Sequence, residues 1–376
     1  MNSLHLFNHI IFLSLLIGGI KSYAEDSLKV INKAEVSFNS QTLKIGYWST
    51  VGVQCGIAVY TQHLCDALKV AGYTTFLYSF KTPLKEVLES IKKDQINVLN
   101  IQYEPSYMPS DKEFVWFLTE LRKMRVKVVI TVHSDGDRLK YYVPLVNHFI
   151  YHKNPQYVTE KNKTTVIHMG IPVFTPPASR KILREKYGFS EDLKILSTTG
   201  FLLAWKEYST MLELLIPWLV SDPKHHIQML TSYNTHAWDP SPIEDQKIKN
   251  IIKKHQIEKQ ITYITTFLSQ EELNERLWIS DLAYLWGCLK SATSSATASQ
   301  FMGSRLPVVA TDSPHFDDLI AGSIKTPQDR KLFISTILQT IQNADLLKEL
   351  RDEQEKYYQD LNYETIVRKH LSVFYK

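Results

Sequence analysis

Short apolar runs and helical stripes alternate along most of the chain. Residues 43–48 (LKIGYW) predict a first strand. A turn containing Gly52 and Gly56 follows. Ile57, Tyr60, Leu64 and Leu68 then fall on one face of a helix that ends at Gly72. Residues 75–78 predict the next strand. Residues 98–101 and 126–132 (VKVVITV) predict two more, with a helix at 114–124 between them. The pattern restarts at residues 193–198. A loop at 200–206 (GFLLAWK), a helix at 211–220 and strands at 227–230 and 261–264 come next. Ser269-Gln270-Glu271-Glu272 opens a helix in capping-box style. Charged helices at 344–359 and 363–374 close the chain. Strands alternating with helices in both halves predict two doubly wound α/β domains. The Pro-rich segment 170–177 (GIPVFTPP) reads as the linker between them. The expected bounds are 43–172 for the first domain, 173–345 for the second and 346–376 for the terminal helices.

One βαβ unit in the second half carries candidate chemistry. Residues 282–286 predict a short strand and 287–294 a loop of small residues. A helix runs from about 294 to 302, with Gly303 as its stop in the left-handed conformation. Residues 306–310 predict a buried strand. The start of such a helix offers free backbone N–H groups and the positive end of a dipole, which suits a phosphate. Every α/β protein has several such units, so the pattern alone does not assign a ligand.

Composition narrows the picture. The 376 residues are 44% hydrophobic, enough to fill two cores, and 43 basic against 39 acidic residues leave a formal charge of +4. That balance carries no nucleic-acid footprint. Cys55, Cys65 and Cys288 are too few and too scattered for a disulfide framework or a zinc site. Residues 8–20 (NHIIFLSLLIGGI) are almost wholly apolar, and Ser22-Tyr23-Ala24 resembles a small-x-small cleavage site. Residues 1–24 therefore read as a signal peptide directing export to the periplasm or beyond. The n-region has His5 and His9 but no Lys or Arg, so an uncleaved anchor and membrane association form the alternative. The run is shorter than the roughly 20 residues of a bilayer span.

Three stretches carry a resemblance. SDLAYLW, the Ser/Thr-rich turn and helix after it, and GSRLPVVATD are similar to the donor-nucleotide half of GT-B glycosyltransferases, specifically family 4. GIAVYTQHL, from Gly56, resembles that family's N-terminal glycine loop and helix. His168-Met169-Gly170-Ile171-Pro172 resembles its hinge. The resemblance implies a GT-B fold, two Rossmann-like domains facing across a cleft. It implies hexosyl transfer from a nucleotide sugar to a glycan, lipid or protein acceptor, with retention at the anomeric carbon and without a bound metal or cofactor. It puts His133, at the end of a strand, on the cleft floor, with Ser134 in place of the usual acid and Asp135 adjacent. Gly200 and Lys206 resemble the loop whose lysine contacts the donor diphosphate, with Glu207 where glycine is common. Lys290, Thr293, Ser294 and Ser295 fall beside the donor phosphates.

The chain also departs from the family. Two glutamates eight positions apart are usual. Counting back from Gly303 puts Lys290 and Ala298 in their places, and one extra residue separates Gly303 from Pro307. Thr297, Ser299 or Gln300 could replace the missing ribose partner. Asp317-Asp318 reads as a capping pair rather than a metal-binding DxD. A second reading is therefore a degenerate GT-B protein that binds nucleotide, sugar or a partner without turnover. An export signal favours it, because nucleotide sugars are cytoplasmic metabolites. A third is a GT-B enzyme that is not a transferase, such as an epimerase.

Overall fold

The alternation resolves into two parallel sheets with no strand in common. The structure is a computed structural model that describes residues 43–376 apart from 159, 173, 234–240, 288 and 290. The expected signal peptide, Cys288 and Lys290 lie outside the described residues.

In the first half the elements are β1 (Lys44–Ser49), α1 (Gly56–Val70), β2 (Thr74–Ser79), α2 (Leu84–Asp94), β3 (Val98–Tyr103), α3 (Asp111–Lys123), β4 (Lys127–Val132), β5 (His148–Tyr151) and β6 (Thr164–Val166). The sheet order is β2-β1-β3-β4-β5-β6. The chain steps outward from β1 to β2, then returns to the other side of β1. The topological switch point therefore lies between β1 and β3, and open parallel sheets bind ligands at the carboxyl ends of such strands. Strand β3 is buried along its whole length, and β1 and β4 are buried after their first residue, as expected of strands covered on both faces.

The second half adds α4 (Arg180–Lys186), β7 (Lys194–Phe201), α5 (Tyr208–Ser221), β8 (His225–Ser232), α6 (Ser241–His255), β9 (Ile261–Ile264), α7 (Gln270–Trp278), β10 (Leu282–Leu285), α8 (Ala296–Gly303), β11 (Val308–Thr311), β12 (Ser323–Thr326), α9 (Arg330–Gln342), α10 (Ala344–Leu361) and α11 (Tyr363–Phe374). Its sheet runs β12-β11-β10-β7-β8-β9, with the switch point between β7 and β10. Helix α11 packs on α1 of the first half. The Tyr60 hydroxyl and His370 Nε2 lie 3.1 Å apart, and Lys127 Nζ donates to the Phe374 carbonyl at 3.1 Å. No helix among the described residues is long and apolar enough to cross a membrane.

One expectation about glycine changes. Gly303 is the last residue of α8, and the left-handed residue is Arg305 at φ 51°. Gly303 is required for a different reason. A Cβ there would fall 2.4 Å from the Pro172 carbonyl oxygen, so only glycine lets α8 lie against the linker. Gly170, on the same linker, would meet the Tyr363 ring at 2.7 Å. The linker is thus clamped between α8 and the start of α11.

Candidate functional site

A cavity of about 170 Å³ opens at the carboxyl ends of the second sheet. Strand β7 supplies one wall. It runs through Gly200 at φ 120° and Phe201, and a short turn (Ala204–Lys206) then reverses the chain. Glu207 closes that turn in the left-handed region at φ 47°. A glycine would adopt this backbone freely. Glu207 holds it with its carboxylate tied to Arg330 at 2.8 Å. The reversal brings Lys206 Nζ back over the β7 end, so close that a Cβ on Gly200 would lie 2.4 Å from it. Glycine at position 200 is required by its φ, and it leaves room for the ammonium above it.

Lys206 has no carboxylate partner among the described residues. Its Nζ lies 3.4 Å from the Tyr208 hydroxyl and over the Trp205 and Tyr208 rings, 5.5 and 5.7 Å from their centroids. Burial without a counter-charge pushes its pKa down to about 8. An uncompensated cation facing a cavity is an anion site by its electrostatics.

The start of α8 forms the facing wall. Ser295 is its N-cap, and Ser295 Oγ accepts from the Ala298 N–H at 3.3 Å. The Ser295 N–H points to Asp318 Oδ2 at 3.4 Å. Asp318 thus does not open a helix of its own; it reaches the first turn of α8 through space. Burial pushes its carboxyl up to about 7. Thr297 and Gln300 line the cavity, whereas Ala298 is 1% exposed and faces the core. The position reached by counting back from Gly303 therefore lies on the core-facing row of the helix. Gln300 pairs reciprocally with Gln270 of α7, with amide contacts of 2.6 and 3.1 Å. Phe267, in the loop after β9, supplies an aromatic wall that no local motif marked.

Gly56 begins α1 at the opposite lip. A Cβ there would come within 2.8 Å of the Ala296 Cβ, so glycine lets the starts of α1 and α8 meet. Gly56, Gly200 and Lys206 are therefore brought together around one cavity. Lys290 lies outside the described residues.

His133 and Thr293 sit in the buried junction next to that cavity. His133 is 7% exposed, its Nε2 lies 2.8 Å from Gln102 Oε1, and its ring packs against Tyr60 and His152. Burial, with His152 nearby, holds its pKa well below the ordinary histidine value. The Thr293 N–H donates to the His133 carbonyl at 2.9 Å, and its hydroxyl donates to the Val132 carbonyl. Ser134 bridges Ala292, the Asp135 N–H donates to the Ser291 carbonyl at 2.7 Å, and Lys153 Nζ donates to the Ala292 carbonyl at 2.6 Å. The loop before α8 is thus laced to the end of β4. Ser294 is half-buried between this lacing and the Ser295 cap.

No family model and no curated protein matches the chain. Solved structures do. HepE of Anabaena, in complex with UDP and glucose, aligns with a TM-score of 0.67 at 12% identity, over 89% of this chain and all of that one. A trehalose-6-phosphate protein from E. coli bound with UDP-2-fluoro glucose gives 0.61 at 12% identity, over 88% and 98%. WaaG, a glycosyltransferase involved in lipopolysaccharide biosynthesis, gives 0.56 at 12% identity, over 88% and 99%. These similarities show the fold. The chain has the GT-B architecture, two Rossmann-like domains, as the sequence patterns predict.

Proposed function

We propose that this protein is a glycosyltransferase that moves a hexose from a nucleotide-sugar donor to an acceptor hydroxyl, with retention and without a bound metal. The observation that carries the reading is Lys206, an unpaired cation beside Gly200 and facing the start of α8 across the cavity. When the bond between the anomeric carbon and the phosphate oxygen breaks, negative charge concentrates on the leaving diphosphate. A fixed ammonium and helix N–H groups stabilise that charge without reorganising. The acceptor oxygen bonds to the anomeric carbon, and its proton leaves with the diphosphate. UDP in the similar solved structures supports a uridine donor. We assign the donor half to family 4 and read residues 1–24 as an export signal, which N-terminal sequencing of the mature protein would check.

A thermal-shift screen with UDP, GDP and their sugars tests donor binding. A ligand at one hundred times its dissociation constant should stabilise the protein by about 2.7 kcal/mol. Sugar-dependent release of UDP or GDP then tests transfer. Nucleotide binding without release across the panel would favour the non-catalytic reading, and no nucleotide binding would sink both.

Affinity for UDP should depend on pH through Lys206. Its free-protein pKa near 8 means that the cation is largely present at pH 7 and largely lost at pH 9. The bound diphosphate raises that pKa, so binding carries a proton uptake that becomes unfavourable above 8. UDP affinity should fall roughly tenfold between pH 7 and pH 9. Titration calorimetry at both values checks this, and Lys206→Arg should flatten the profile.

We also assign ribose recognition to Gln300 rather than to Ala298. Gln300→Glu replaces a neutral acceptor by a charged one at a cavity-facing position. It should tighten UDP binding several-fold, about 1 kcal/mol, with no change for inorganic diphosphate. Ala298→Glu would instead bury a carboxylate in the core and destabilise the fold.

A further inference from the structure

A second groove lies on the carboxyl edge of the first sheet, about 580 Å³ in volume and distinct from the donor cavity. It sits between the loop after β2 and the loop after β3. Phe80, Tyr107, Met108 and Trp116 form its body, and Pro83 and Pro109 its sides. Trp116 is 38% exposed, a large apolar ring facing water in the middle of a groove. Tyr107 stacks on Phe80 with ring centroids 5.9 Å apart, which fixes both as one wall.

The groove and the proposed donor site adjoin the same turn. The Phe80 N–H, in the groove wall, donates to the Ser49 carbonyl at the end of β1 at 2.9 Å. The turn that follows β1 leads to Gly56, which lines the donor cavity. Both spaces therefore lie beside the end of β1 and the turn after it.

Charge selects the occupant. Lys81 and Lys85 stand exposed on the rim, and neither pairs with a carboxylate among the described residues. The acid of the groove, Glu113, is already occupied. Its carboxylate accepts from the Ser110 N–H at 3.1 Å and the Ser110 hydroxyl at 2.6 Å in the capping box of α3. The Phe80, Pro83, Leu84, Met108 and Pro109 walls offer no hydrogen bonds, so a sugar ring lying along them would find few partners for its hydroxyls. A hydrocarbon chain with an anionic head meets both halves of the site.

We propose that this groove binds the acceptor, and that the acceptor is an anionic lipid whose chain lies along Trp116, Tyr107 and Phe80 and whose phosphate sits between Lys81 and Lys85. The proposal rests on the transferase reading for the word acceptor, but its ligand chemistry is testable alone.

The probe is dodecyl phosphate below its micelle concentration, compared by calorimetry with dodecyl maltoside and inorganic phosphate. The wild-type protein should bind dodecyl phosphate at least tenfold more tightly than either. Lys81→Ala/Lys85→Ala should weaken it by about thirtyfold, from two lysines acting on one anionic head. Trp116→Ala should weaken it by about tenfold. Trp116 is partly exposed and both lysines are exposed, so the variants should keep the wild-type melting temperature and UDP affinity. Undiminished binding in both variants, equal binding of dodecyl maltoside, or no binding of dodecyl phosphate would each overturn the proposal. Failure of UDP to bind while dodecyl phosphate does would instead remove the transferase reading and leave the groove's chemistry standing.

Discussion

Lys206→Ala is expected to lower donor-dependent transfer by on the order of tenfold to a thousandfold, the range for removing one charged stabiliser of a leaving group. The loss should appear in binding as well, and unevenly. UDP and inorganic diphosphate should weaken, whereas uridine should bind as before, because the proposed function places the diphosphate at Lys206, beside Gly200. Stability should move the other way. The ammonium is desolvated and unpaired, which is why its pKa drops to about 8. Removing it relieves that cost, so the melting temperature should hold or rise. The sign of the pH effect agrees. With the folded pKa below the unfolded value, the unfolded chain binds more protons between about 8 and 10.5, and wild-type stability should rise across that window. Lys206→Ala should lose this slope. An activity loss with a lowered melting temperature, or equal weakening of uridine and UDP, would make Lys206 a structural residue and sink its assignment to the diphosphate.

The loops that follow strands were legible because their signals are local. Gly200 and Lys206 stand out by the resemblance of one short stretch, residues 200–206, to a known loop, and that needs no distant contact. The same holds for the alternation that predicts two doubly wound sheets. What the sequence hides is nonlocal. Gly303, Gly170 and Gly56 are glycines because another element approaches each of them, Pro172, Tyr363 and Ala296 respectively, and none of those neighbours is near in sequence. The facing of α8 is hidden for a related reason. The chain ends that helix with Ser304 and a left-handed Arg305, so a count anchored on Gly303 lands on the core-facing row. Gln300 and Thr297 become visible only when the helix is seen against α7 and the cavity. Asp318 misled in the same way, because its partner is the Ser295 N–H 23 residues back along the chain. Strand β12 (Ser323–Thr326) carries a lysine among four residues and lies at a sheet edge, where the pattern is weakest.

Asp281→Ala should be the most damaging single change to the fold, and it should leave the site alone. Asp281 precedes β10 at the amino end of the second sheet, opposite the cavity. Its Oδ2 accepts from the Ile195 N–H at 2.7 Å and from Arg184 at 3.0 Å, and its Oδ1 accepts from Arg180 at 2.7 Å. Arg184, only 3% exposed, also donates to the Ile279, Glu191 and Leu193 carbonyls. Arg351 of α10 donates to the Ser280 carbonyl at 3.1 Å. Three arginines thus converge on one turn that carries a single carboxylate. Burial alone would raise the Asp281 pKa, but Arg180, Arg184 and the Ile195 N–H outweigh it and hold the carboxyl below the usual range. Removing that charge leaves Arg184 buried beside Arg180 with no counter-ion, a cost of about 3–5 kcal/mol. The depressed pKa fixes the sign of the acid dependence. The carboxylate's contribution is present above the unfolded value of about 3.9 and is lost as pH falls through the folded one. Denaturant midpoints for Asp281→Ala should therefore drop at pH 7, and their gap from wild type should close in acid. Adding Arg184→Met to Asp281→Ala should recover part of the loss, because the stranded charge is then gone. UDP affinity in any folded fraction should match wild type. A single variant within about 1 kcal/mol of wild type would mean that the arginines satisfy themselves on carbonyls alone.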